Sequence, residues 1–219
     1  MRPGSFLLDL LFPPKCMLCH EIMSSSERKI CPRCSSELPV LCVKEQKQSF
    51  NHVSLCSSLF YYEGSVRESL LRYKFKGLQY YAAEYARLMA ENIPAEALDC
   101  DVISFTPLSR RRLRRRGYDQ ARLLAEELAA ITGKECRPTL QKVRDVAPQS
   151  GTGGLEERRA NISNAYRIRK DADINGKTVL LADDIVTTGS TLSECAGVLV
   201  RAGAADVKAV TVARRKENK

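Results

Sequence analysis

The sequence predicts an α/β fold, a mostly parallel twisted sheet flanked by helices, with a small metal-binding module at its N-terminal end. Three observations carry that prediction. Val179, Leu180 and Leu181 form an apolar run of the kind a buried parallel strand shows, and Leu192, Cys195, Ala196, Leu199 and Val200 follow at helical spacing. Val102 to Phe105 repeats that order, a strand followed by a helix pattern from Asp119 to Ala130 with Leu123, Leu124 and Leu128 inward. Near the start, Cys16-Met-Leu-Cys19 and Cys31-Pro-Arg-Cys34 have the spacing of a four-thiolate zinc site.

A chain of 219 residues can hold one α/β domain and a small appendage. Its composition, 44% hydrophobic and 28% charged, is that of a soluble globular protein. A net charge of +9 favours an anionic partner or substrate. Phe6 to Phe12 is apolar but is interrupted by Asp9 and stopped by Pro13-Pro14. It is too short to span a membrane and no cleavage site follows, so the expected location is cytoplasmic, without membrane insertion.

The elements are expected as follows. Residues 5–12 make one or two helical turns that pack on a neighbouring domain. The cysteine segment has too little apolar surface to fold alone, so its metal would supply the folding energy. Cys42 and Cys56 lack Cys-x-x-Cys partners and are assigned no metal. Residues 44–52 are polar and read as a linker. The domains are therefore residues 1–43, a zinc-finger module, residues 44–56, a linker, and residues 57–219, the α/β domain.

Leu59 to Tyr62 reads as a strand, Val66 to Leu78 begins a helical pattern, and a second helix runs from Tyr81 to Ile93. Ser109 to Tyr118 reads as a loop with six arginines: Arg110, Arg111, Arg112, Arg114, Arg115 and Arg116. It follows a strand's carboxyl end, and guanidinium forks suit a diphosphate or a nucleic-acid backbone. Arg137 to Val143 and Tyr166 to Ile168 read as short strands. Between them, Arg144 to Asn161 is rich in Gly and Ser and carries Arg158 and Arg159, which makes it a candidate closing loop. Val207 to Val212 is a last strand.

The most informative stretch is Val179 to Thr191. Its apolar run ends in Asp183 and Asp184, and the loop beyond holds Thr187, Thr188, Gly189, Ser190 and Thr191. Ligands of open α/β sheets sit at the carboxyl ends of strands. Hydroxyls and a helix N-terminus there can hold a phosphate, and Gly189 lets a backbone come close. Two carboxylates would not face a phosphate directly. They suit ribose hydroxyls, or Mg²⁺ shared with a diphosphate.

This stretch resembles the motif by which type I phosphoribosyltransferases bind 5-phosphoribosyl 1-diphosphate (PRPP). With the cysteine pairs, Leu-Phe-Pro-Pro-Lys-Cys at 11–16, Arg-Arg-Gly-Tyr-Asp-Gln at 115–120 and Pro-Gln-Ser-Gly at 148–151, the chain resembles the ComF family of competence proteins. That resemblance implies a zinc finger joined to a type I phosphoribosyltransferase-like domain, a role in DNA uptake, and a helicase-like partner. Two readings follow. In the first, PRPP binds with Mg²⁺, a nitrogen base attacks the ribose, and diphosphate leaves. Asp183 and Asp184 would stabilise the charge that develops, the loop would cradle the 5′-phosphate, and the arginines would neutralise diphosphate. In the second, the fold keeps PRPP as a regulatory ligand and its basic surface binds single-stranded DNA and the helicase.

Overall fold

The computed structural model describes residues 13–24, 29–144 and 165–216. After the cysteine segment come α1 (Pro32–Ser36), α2 (Val43–Gln46), β1 (Lys47–Phe50), β2 (Val53–Tyr61), α3 (Gly64–Phe75), α4 (Tyr81–Asn92) and α5 (Ala95–Leu98). Then follow β3 (Val102–Phe105), α6 (Arg110–Arg116), α7 (Gln120–Thr132), β4 (Glu135–Cys136), β5 (Leu140–Lys142), β6 (Tyr166–Ile168), β7 (Thr178–Val186), α8 (Ser190–Arg201) and β8 (Asp206–Arg214). Residues 5–12 and 145–164 lie outside the described residues, and with them Arg158, Arg159 and most of the expected closing loop.

Six strands form one sheet in the order β1-β2-β8-β7-β3-β4. All pairs are parallel except the β1–β2 hairpin. β5 and β6 form a separate antiparallel ribbon. Alternation along the strands divides the core. Ile103, Leu180, Ala182, Val210 and Val212 pack into one cluster with α3, α4 and α7. Val102, Val179, Leu181, Val207 and Ala209 pack into the other, with α8 and the ribbon residue Tyr166. Tyr81 and Tyr85 are fully buried in the first cluster, as core residues.

Three expectations require correction. Residues 44–56 hold α2, β1 and the first residues of β2 instead of a bare linker. The hairpin is a half-buried edge whose faces alternate, so polar composition conceals it. Its anchor is Gln46, 1% exposed, whose Nε2 donates to the carbonyls of Leu41 and Asn92. The arginine run is helix α6, not a loop: the Ser109 hydroxyl caps its first turn, and Gly117 ends it at φ 82°. Finally, β7 continues through both aspartates to Val186, because β8 pairs with it along that whole length, Asp183 opposite Thr211 and Val186 opposite Arg214.

Candidate functional site

The parallel strands bring their carboxyl ends to one rim. There β3 stops at Phe105, opposite Ala182, while β7 runs four residues further. Asp183 and Asp184 therefore stand at the step between a long strand and a short one. The gap is bordered by the turn that leaves β3, whose Thr106 N–H donates to the Ala182 carbonyl.

Because both acids lie on a strand, their side chains leave opposite faces of the sheet. Asp184 faces the α3, α4 and α7 side. It is 8% exposed and pairs with Lys74 Nζ at 3.0 Å. Its charge is felt by Tyr73, Tyr85, Arg116 and Asp119. Asp183 faces the α8 side, where its charge is felt by Cys56, Tyr166 and Cys195. Burial, reinforced by the neighbouring Asp184 charge, raises the Asp183 carboxyl to about 7, although the Thr106 hydroxyl and the Asp184 N–H, donating at 2.8 Å, oppose the rise. In this arrangement the two carboxylates flank the rim from opposite faces of the sheet.

The hydroxyl loop follows. Thr187 and Thr188 are exposed, and the Thr188 and Ser190 hydroxyls lie 2.8 Å apart. Gly189 is the N-cap of α8 at φ 70°, with no capping side chain. The first-turn N–H groups of a twelve-residue helix are thus presented beside two hydroxyls, the arrangement that binds a phosphate. Gly189 is needed for a reason that its sequence context does not show. Besides the left-handed backbone, its open side is filled by the Phe50 ring from the β1–β2 hairpin, with which an added Cβ would collide.

Helix α6 divides the six arginines. Arg110, Arg111, Arg114 and Arg115 are exposed, whereas Arg112 and Arg116, one turn apart, are half-buried. Arg116 donates to Gln120 Oε1 at 2.6 Å and lies 4.8 Å from the Phe75 ring centre. Arg112 acts electrostatically on Tyr166 of the ribbon. Between α6–α7 and the ribbon is a cleft of about 920 Å³. Phe105, Leu108, Leu123 and Leu140 give it apolar walls, and Arg110, Lys142, Arg144 and Arg169 make it cationic. Asp119 lines this cleft and senses Asp184, so the cleft adjoins the acid site.

At the N-terminal end, Cys16, Cys19, Cys31 and Cys34 bring their sulfurs within 4.8 Å of one another. Tetrahedral zinc with bonds of about 2.3 Å requires sulfurs about 3.8 Å apart. Cys19 and Cys31 are 3.8 Å apart, so the donor set fits structural zinc, and the four thiolates fill the shell. Burial works to raise the Cys16 thiol, but the N–H of Cys31, at 3.4 Å, and that of Cys19 outweigh it and hold the thiol down at about 7. Among the described residues these four form the one cluster of three or more His, Cys, Asp or Glu side chains able to hold a metal.

Sequence reasoning missed Lys74, Phe50 and Thr106. Lys74 is one of several basic residues on its helix, and Phe50 lies in a segment taken for a linker. Nothing local marks either as a neighbour of the acid loop.

Comparison with known proteins bears on the fold and its two parts. The family model described as phosphoribosyl transferase domain matches residues 113–219, and that described as double zinc ribbon domain matches residues 7–58. The chain is a protein with a type I phosphoribosyltransferase fold and an N-terminal zinc ribbon. It is a homologue of proteins named for competence and DNA utilization. It is 35% identical over 143 residues to the DNA utilization protein YhgH of Salmonella typhi, covering 62% of this chain and 61% of that protein. It is 29% identical to the competence protein ComFC of Streptococcus pneumoniae over 202 residues, 90% of this chain and 87% of that one. The chain spans about three fifths of the length of the YhgH relative. Among solved structures, the orotate phosphoribosyltransferase of Aeropyrum pernix matches 85% of this chain and 81% of its own, with 16% identity and a TM-score of 0.39. Similarity at that level says nothing about substrate.

Proposed function

We propose that the chain binds PRPP with Mg²⁺ at the carboxyl rim of the sheet and serves DNA uptake in natural transformation, in the cytoplasm, beside a helicase-like partner. The observation that carries the site is the junction of β7 and α8. A pair of acids stands at a strand step, followed at once by hydroxyls and an uncapped helix N-terminus. The 5′-phosphate would rest on Thr187, Thr188, Gly189, Ser190 and Thr191. Asp183 and Asp184 would hold the ribose diol from the two sides of the rim, and Mg²⁺, when bound with PRPP, would offset the charge of the diphosphate. Arg112 and Arg116 are the α6 arginines turned inward, and they would neutralise the leaving diphosphate. If a nitrogen base is the acceptor, positive charge developing on the ribose would be stabilised by the acids. Calorimetry with PRPP and Mg²⁺ tests this reading. Wild type should bind and Asp183→Ala/Asp184→Ala should not, and equal behaviour of the two would refute the site.

A second reading makes the chain a single-stranded-DNA-binding module that keeps PRPP as a regulatory ligand. It is favoured by the exposed arginines of α6 beside a cationic cleft with apolar walls. Binding to an unlabelled single strand that weakens steeply with salt, without diphosphate release in the presence of PRPP, would favour this reading over turnover.

A further inference from the structure

Arg72, Tyr73 and Lys74 are consecutive residues in the last turn of α3, and each is tied to a different part of the molecule. Arg72 donates through one amino nitrogen to the carbonyls of Met17 and Leu18, at 2.9 and 2.8 Å. Those carbonyls belong to the turn between Cys16 and Cys19. The Tyr73 hydroxyl donates to the Gln120 carbonyl at 2.8 Å, and the Tyr73 carbonyl accepts from the Tyr118 hydroxyl. Lys74 reaches Asp184. Successive helical residues point about 100° apart, which is how one turn can grip the cysteine knuckle, the start of α7 and the acid strand together.

We propose that Lys74 is the positioning residue of the acid pair, fixing the Asp184 side chain at the rim, and that the cysteine module sets Lys74 in place through Arg72. The proposal rests on the PRPP reading for its ligand, but not for its geometry. Lys74 is 17% exposed and Asp184 11% at their side chains, so this ion pair is shielded from the water that weakens surface pairs. Among the described residues, the other groups that sense the Asp184 charge are Tyr73 from α3, Tyr85 from α4, Arg116 from α6, Asp119 ahead of α7, and Asp183 beside it on β7. Of these, two are carboxylates and two are phenols. Arg116 supplies the one other positive charge, and it is already committed to Gln120 and the Phe75 ring. Without Lys74, two adjacent carboxylates would stand at the rim with little to balance them. The Asp184 carboxylate, repelled by Asp183 and Asp119, would then swing from the rim and lose its hold on a ribose hydroxyl. Arg72 matters because α3 ends one residue beyond Lys74, at Phe75, where a helix frays unless something holds it.

The test uses the full-length zinc-loaded protein and four forms: wild type, Lys74→Met, Lys74→Arg and Arg72→Met. Carbon relaxation of the labelled Asp183 and Asp184 side chains in the ligand-free protein reports how firmly each is held. The Asp184 side chain should become mobile in Lys74→Met, stay as ordered as in wild type in Lys74→Arg, and loosen in Arg72→Met with one zinc still bound. Calorimetry at pH 7 should show Mg²⁺-PRPP binding weakened about tenfold in Lys74→Met and recovered in Lys74→Arg. An Asp184 side chain as ordered as in wild type in Lys74→Met overturns the role of Lys74. A wild-type Asp184 side chain in Arg72→Met overturns the link to the cysteine module. If wild type itself binds no PRPP, the proposed ligand fails, and the relaxation data still decide the positioning role.

Discussion

The strongest constraints act on single residues. Gly189 combines a left-handed backbone with the Phe50 ring against its open side. Gly189→Ala should cost about 1–2 kcal/mol from backbone strain and more from displacing the ring. Urea unfolding checks this, and Phe50→Ala/Gly189→Ala should recover the steric part while the backbone part persists. Asp183 shows the opposite relation between stability and charge. Its folded carboxyl titrates at about 7, well above the ordinary 3.8, so between those values the folded protein holds more protons than the unfolded chain. Its contribution to stability is therefore greatest below about pH 4 and falls until about pH 7. Asp183→Asn should consequently be more stable than wild type at pH 8, by an amount on the order of 3 kcal/mol, with the gap closing towards pH 4. Chemical denaturation at several pH values measures it. A carboxylate kept at such a cost is what a binding site requires and a packing role does not.

At the scale of elements, α6 is informative because helical periodicity sorts a run of like charges. Arg114 and Arg115 face solvent, while Arg112 and Arg116 turn towards the ribbon and the acid site. The two sets should separate experimentally. Arg114→Gln/Arg115→Gln should lower the salt slope of single-strand binding by about 1.4, given a slope of about 0.7 per phosphate contact, and leave PRPP binding intact. Arg112→Gln/Arg116→Gln should weaken PRPP binding instead. Filter binding across a salt series and calorimetry provide the two readouts. The β1–β2 hairpin makes a similar point. Residues that look like a connector form an edge strand whose last residue, Phe50, packs on Gly189 at the start of α8.

For the whole molecule, the cysteine segment and the α/β core share one interior. Cys16, Met17, Leu18 and Ile30, each at most 6% exposed, belong to the same cluster as α3, α4 and α7. Losing the metal should therefore disturb more than the ribbon. Cys16→Ser/Cys19→Ser should lose about one zinc equivalent, as expected for a four-thiolate site, and lower the melting temperature by roughly 10 °C. Metal analysis and calorimetric melting check both. A melting temperature unchanged on zinc loss would mean that the segment folds without its metal.

The sequence by itself determined the principal strands and helices of the α/β domain, though not α2, β1 or α6, and with them the four cysteines and the acid-hydroxyl stretch. Each is written in a local signal: apolar periodicity, Cys-x-x-Cys spacing, or a run of adjacent polar residues. Even the limits of β3 and α4 were legible, because Pro94 and the apolar repeats act over a few residues. Tertiary structure settled what depends on pairing between distant segments. The length of β7 is set by β8, which holds Asp183 opposite Thr211 and so turns the two acids to opposite faces. Lys74 reaches Asp184, and Phe50 reaches Gly189, across more than a hundred residues. Such contacts leave no periodicity in the chain, because the free energy that fixes them is gained only once the sheet and its flanking helices have closed around a common core.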